Sequence, residues 1–233
     1  MQLSKFWLVA ASVVVGAVMP AQAGDWQGLY LGVQGGYGWG TDSLRTTLQN
    51  NGVPLVPVYT NDFEVDGFAG GVQAGANAQI DQLVLGVEGR YSRGNIAGEF
   101  GFDPKRPEAV AGGELEWLAS LSGRVGLDLD GTLLFARAGY AMTAINGYAN
   151  NVFDPAPAED VATGGESLPG YVLGVGVEQA LGDQVSIGLD YSRYVFARGD
   201  FDMISPAYPD GVVLRTEPAL ELNVISASVN VHF

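Results

Sequence analysis

Six ionisable side chains are the chain's main candidates for chemistry: Glu88, Arg90, Arg124, Arg137, Glu178 and Asp190. Each falls on the polar phase of a segment that otherwise alternates apolar residues with small polar ones. Charges buried singly are costly, so three bases and three acids in register predict a salt-bridged cluster. Gln34, Gln73, Asn77 and Asn230 are placed to complete its hydrogen bonds. The same six residues admit a second use, a narrow ion path through rearranging salt bridges. Catalysis has less to build on. His232 is the only histidine, expected on the lumen-facing phase, and spacing supplies it with neither nucleophile nor carboxylate. A lone histidine makes a poor transition-metal site, and the chain has no cysteine for thiolate ligands or disulfides. Gly174-Val175-Gly176 is half a dinucleotide fingerprint, but Gln179 stands where the third glycine belongs. These residues predict no enzyme, no metal and no cofactor.

The elements that must hold the six charges are strands. Apolar residues recur at period two over 27–39, 67–78, 83–95, 114–128, 132–146, 169–180, 184–196 and 221–233. In the third, Leu83, Leu85, Val87 and Tyr91 share one face, opposite Val84, Gly86, Glu88, Arg90 and Ser92. Three connections are tight: Gln79 to Gln82, Leu129 to Gly131, and Leu181 to Asp183. Four are long: Gly40 to Asp66, Ile96 to Gly113, Gly147 to Leu168, and Ala197 to Leu220. Long and short alternate strictly. That alternation predicts an all-β, eight-stranded antiparallel up-and-down transmembrane β-barrel, with short periplasmic turns, long external loops and both termini periplasmic. A soluble barrel with an apolar interior is disfavoured, because the polar face is rich in glycine and poor in Lys and Glu.

The beginning of the chain agrees. Lys5, the apolar stretch Phe6–Met19 and Pro20-Ala21-Gln22-Ala23 read as a removable export signal over 1–23, leaving a barrel domain over 24–233. The formal charge of -15 becomes -16 once Lys5 is removed, which disfavours nucleic acid as a partner. Together these features place the chain in the outer membrane of a Gram-negative cell.

Aromatic residues gather where strands meet long loops: Tyr37, Trp39, Phe68, Tyr91, Trp117, Tyr140, Tyr171 and Tyr191, with Tyr194. Amphipathic rings prefer the membrane boundary, so these predict an external girdle, with Trp26 and Phe233 anchoring the opposite edge. Lumen glycines (Gly32, Gly71, Gly75, Gly86, Gly126, Gly174, Gly176 and Gly188) leave room for the long charged side chains. An eight-stranded barrel is just wide enough for side chains to fill, so the expected lumen is plugged. Asp62, Glu64, Asp66, Asp154, Glu159, Asp160, Glu166, Asp200, Asp202 and Asp210 read as solvated acidic loops.

Trp26, Gly28, Tyr30 and Gly32, followed by Gly36, Tyr37, Gly38, Trp39 and Gly40, match the opening of a known family. So do Leu85 to Gly89, Gly123 to Gly126, and Gly170, Tyr171, Gly174, Gly176, Val177 and Glu178. Over essentially the whole mature length, the chain resembles the small outer-membrane barrels of the outer-membrane-protein-A and opacity type. Within them it is most similar to the major outer-membrane antigens and porin-like proteins of alphaproteobacteria. Asp190 where glutamate is expected, Val185 where an aromatic is common, Ser228 for glycine and His232 for a basic residue are departures that leave the fold intact. The resemblance implies a structural, surface-interacting envelope protein, with a narrow porin as the alternative. It implies contact with outer-membrane lipid and lipopolysaccharide, and with an external ligand or host surface through the loops. It also implies that Val229, Val231 and Phe233 form the signal read by the barrel-assembly machinery.

Overall fold

A computed structural model describes residues 25–103, 106–150, 161–205 and 209–233. The expected signal at 1–23 lies outside them, as do Asp154, Glu159 and Asp160. Among the described residues no helix is long and apolar enough to cross a membrane. Twelve strands form instead: β1 (Gly28–Asn50), β2 (Val53–Pro54), β3 (Tyr59–Ile80), β4 (Leu83–Gly94), β5 (Ala97–Asp103) and β6 (Arg106–Leu129). They continue as β7 (Thr132–Asn150), β8 (Val161–Ala180), β9 (Val185–Phe196), β10 (Phe201–Met203), β11 (Val212–Glu217) and β12 (Leu220–His232).

Eight of them close a ring in the order β1, β12, β9, β8, β7, β6, β4, β3 and back to β1, every pair antiparallel. Closure leaves these strands no free edge. From Trp39 the cross-strand pairs run through Asn223, Arg193, Leu173, Ala138, Gly123, Val87 and Ala76. They return to β1 at Leu29, ten residues nearer the end that carries the termini. With about 4.8 Å between strands and about 3.3 Å per residue, that stagger tilts the strands by about 40°. The tight turns fall where expected, with positive φ at Asp81, Asp130, Gly131 and Gly182.

The four long connections differ from expectation. Most of their length is strand: β1 continues eleven residues past Trp39 to Asn50, β3 begins at Tyr59, and β5, β10 and β11 lie wholly inside the expected loops. The reason is a second run of alternation. In Asp62-Phe63-Glu64-Val65-Asp66 the acids face outward while Phe63 and Val65 are buried. Such segments gain by pairing and by covering a common apolar core. That core holds Leu44, Phe63, Ile96, Leu115, Ile145, Leu168, Tyr194, Phe196, Leu220 and Leu222, capped by Ala111, Ala149, Ala162, Met203, Val212 and Leu214. Burying the Leu, Ile, Val, Phe and Met side chains among them stabilises by roughly 1.5–3 kcal/mol each. The barrel wall therefore extends well beyond the ring of aromatics.

Candidate functional site

The six predicted charges meet in one layer of the barrel interior, all buried. β4 supplies Glu88 and Arg90, β6 Arg124, β7 Arg137, β8 Glu178 and β9 Asp190. Period two decides this: an inward-facing charge on each of five strands at similar height must find the others across a narrow tube. Arg90 Nε lies 2.6 Å from Glu88 Oε1 and its Nη1 2.8 Å from Asp190 Oδ1. Arg137 spans the same two acids, at 2.7 Å from Glu88 and 3.0 Å from Asp190. Arg124 bonds Glu178 and stands 3.8 Å from Glu88. Each base thus faces two carboxylates, and the formal charges of the six cancel.

Neutral residues complete the layer. Gln34 accepts from Arg90 Nη1 at 3.0 Å and donates to Ser92 at 3.1 Å. Gln73 donates to Asn230 at 2.6 Å, and Asn230 donates to Glu178 at 2.6 Å. Asn77 departs from expectation: its buried amide makes no hydrogen bond, although its oxygen occupies the space left by Gly86. Sequence reasoning did not assign Tyr30 to this network. Its hydroxyl donates to Glu88 at 2.6 Å and accepts from Arg124 Nη1 at 3.2 Å. Tyr30 shares the lumen phase with Gly28 and Gly32, so parity was the signal that could have found it. Glycine makes the room, as expected: a Cβ on Gly75 would lie 2.4 Å from the Tyr30 ring, and one on Gly32 2.0 Å from Asn230 Oδ1.

Apolar layers bound the charged one. On one side stands the long-hairpin core described above. On the other, Trp26, Val84, Leu133 and Phe135 fill the tube at the end carrying the termini. Trp26 was expected on the outer wall as a membrane anchor. It is buried instead, with Nε1 donating to Asp128 at 3.1 Å and its ring edge-on to His232. Trp26 precedes the first barrel strand and is free to fold under it, which spacing could not reveal.

A family model for the outer membrane protein beta-barrel domain matches residues 8–233. The chain belongs to this family. Its relatives include a 22 kDa outer membrane protein of Rhizobium leguminosarum bv. viciae, 28% identical over 196 residues, covering 81% of this chain and 73% of that one. A 31 kDa outer-membrane immunogenic protein of Brucella melitensis is 27% identical over 190 residues, covering 78% of each. Among solved structures, the outer membrane protein OprG of Pseudomonas aeruginosa is 10% identical, with a TM-score of 0.47 over 89% of this chain and 97% of that one. The protein is an outer-membrane β-barrel protein.

On the outer wall of this outer-membrane barrel, Tyr37, Trp39, Phe68, Tyr91, Tyr140, Tyr171 and Tyr191 are exposed, with Trp117 part-exposed at a bulge in β6. Tyr37 packs edge-on to Phe68, and Tyr91 stacks on Trp117. Tyr194 is not among them. It faces inward, buried and stacked on Phe196, because it lies an odd number of residues from Tyr191. Above these rings the acids are less solitary than expected. Asp200 and Asp202 both pair with Arg215, and Asp66 accepts from the Tyr37 hydroxyl.

His232 faces the lumen, and two residues that spacing could not assign to it stand beside it. Its Nε2 lies 2.9 Å from Ser186 Oγ and 3.5 Å from Glu178 Oε1. One ring nitrogen therefore faces both groups, and the serine proton points to Glu178. A nucleophilic relay needs the histidine to join serine and acid through opposite nitrogens. The adjoining cavity, about 10 Å³, has no room for a substrate. At the last strand, Val229 and Val231 project outward on β12, and the Phe233 amide donates to the Leu29 carbonyl at 2.8 Å.

Proposed function

We propose that this outer-membrane barrel is a closed, non-enzymatic envelope protein that stiffens the membrane and presents its long hairpins to the exterior. One observation carries the reading: a neutralised charged layer sits between apolar layers that fill the tube at both ends. Water and ions crossing it would have to part buried ion pairs and then wet a hydrophobic core, each step costly. The unproductive geometry around His232 supports a non-catalytic role. The short turns and termini then face the periplasm and the long hairpins the outside, following the usual order in such barrels. A relative named an outer-membrane immunogenic protein fits surface presentation.

Three contacts follow from this reading. Lipid and lipopolysaccharide meet the aromatic ring, an external ligand or host surface meets the hairpin ends, and the barrel-assembly machinery meets Val229, Val231 and Phe233. A narrow pore for ions or small solutes is the second reading. It draws on the unbonded polar atoms inside the wall, namely the Asn77 amide, Gln73 Oε1 and the Nε atoms of Arg124 and Arg137, which would favour hydration.

Single-channel recording of the folded protein in a planar bilayer tests the choice. A silent barrel that migrates as a compact species on an unboiled gel is the expected result. Discrete, reproducible conductance steps would overturn closure and make the charged layer a selectivity filter.

A further inference from the structure

Two Tyr-Ser-Arg triplets recur on opposite walls of the ring, Tyr91-Ser92-Arg93 on β4 and Tyr191-Ser192-Arg193 on β9. In each, the tyrosine and arginine face outward while the serine faces in. In each, a tryptophan packs near the tyrosine: Trp117 beside Tyr91 and Trp39 beside Tyr191. Each arginine also has a carboxylate on the neighbouring strand, Glu116 for Arg93 and Glu221 for Arg193. The two corners differ in what the wall does next to them.

Beside Arg193 the outer wall carries a groove of about 820 Å³, lined by Tyr191, Leu173, Ala138, Gly123 and Val125. Its floor is the row of cross-strand partners Arg193, Leu173, Ala138 and Gly123. Because the strands tilt, that row descends from the aromatic ring toward the short-turn end, as the ten-residue stagger requires. Small residues in the middle make the floor low. The protein's own packing does not demand it at Gly123, where a Cβ would meet its nearest atom, the Ala138 carbonyl oxygen, at 3.9 Å. A second apolar groove on the wall, around Val33, Ile187 and Val229, has no charged residue on it.

We propose that the Arg193 corner and the groove below it hold one lipid of the outer leaflet whose phosphate headgroup is net negative, the phosphate on the guanidinium and an acyl chain along Leu173, Ala138 and Gly123. The proposal rests on the orientation proposed above, with the long hairpins and the aromatic ring toward the outer leaflet. Glu221 occupies one edge of the guanidinium through Nη2, and the other N–H groups make no bond among the described residues. A guanidinium offers five donors, so phosphate can take those remaining without displacing the carboxylate. Its place among aromatic rings matches the depth at which lipid headgroups lie. Arg93 has a different setting: its Nε is spent on the Tyr91 hydroxyl at 2.7 Å, and it does not line the groove that Arg193 lines. Arg93 is therefore the internal comparison.

The test is native mass spectrometry of the full mature barrel released from nanodiscs of phosphatidylcholine containing lipid A. One retained lipid A per barrel is expected. Arg193→Gln should weaken retention about tenfold, the equivalent of one charge-assisted hydrogen bond. Gly123→Leu should weaken it by raising the groove floor while leaving Arg193 in place. Arg93→Gln should leave retention unchanged. Equal loss in the two arginine variants would mean diffuse headgroup attraction and overturn the site. So would full retention in Arg193→Gln, or equal retention of phosphatidylcholine. Unboiled gel mobility reports insertion separately, so a folded barrel without bound lipid sinks the site and leaves the barrel standing.

Discussion

The Arg124 guanidinium lies over the face of the Phe135 ring, 3.9 Å from its centroid. This contact joins the charged layer to the apolar layer beneath it. One face of the cation meets the ring, its edge bonds Glu178, and Tyr30 takes a third position. Desolvated contacts of this kind contribute about 2 kcal/mol or more. Arg124 is thus where hydrocarbon packing and ion pairing depend on each other.

Arg124→Ala should lower barrel stability by about 3–5 kcal/mol, since it strands Glu178 and leaves Glu88 with two bases. The urea midpoint of the refolded protein in detergent measures this. Combining it with Glu178→Ala should cost clearly less than the two single changes together, because each removes the same pair. Strict additivity would count against a coupled layer.

Gly75→Ala should destabilise by about 1–3 kcal/mol, because the new methyl meets a Tyr30 ring already held by Glu88 and Arg124. Gly35→Ala is the control. It faces outward with nothing within 4 Å of its would-be Cβ, and should stay within about 0.5 kcal/mol of wild type. Similar midpoints for both variants would refute the lumen-filling role of glycine.

Asp42 lies inside the barrel beyond the aromatic ring, among Val65, Ile96, Leu115 and Leu220. Burial pushes its carboxyl up to about 6, against the pull of the Ala219 amide at 3.0 Å and the more distant Arg198. A carboxyl raised on folding favours the folded state when protonated. Its contribution is full below about pH 4 and is lost as pH rises to about 6. Asp42→Asn keeps an oxygen for the Ala219 amide and should flatten that part of the stability curve. An unchanged slope between pH 4 and 6 would assign the dependence to other groups.

Removing Phe233 should reduce the amount of folded protein reaching the outer membrane if β12 carries the assembly signal. The heat-modifiable fraction in outer-membrane preparations reports it directly. Normal yield from the truncated chain would dismiss that role.

Period two in the sequence was enough to determine the eight-stranded ring, its tight turns and the inward direction of Glu88, Arg90, Arg124, Arg137, Glu178 and Asp190. Parity is a local property, and a strand closed in a ring has only two faces to offer. The same parity was legible in Asp62-Phe63-Glu64-Val65-Asp66, and Asn51-Gly52 is a strong hairpin signal with both residues at positive φ. Charge and length had made these stretches read as solvated loops, although their acids occupy only the outward phase. The tertiary structure alone decided which charges pair, because partners such as Arg90 and Asp190 lie a hundred residues apart in sequence. It also decided that Trp26 turns under the barrel, and that Ser186 and Glu178 both meet one nitrogen of His232. These outcomes depend on strand stagger and on the volume left between walls. Both are properties of the closed ring, and no single strand encodes them.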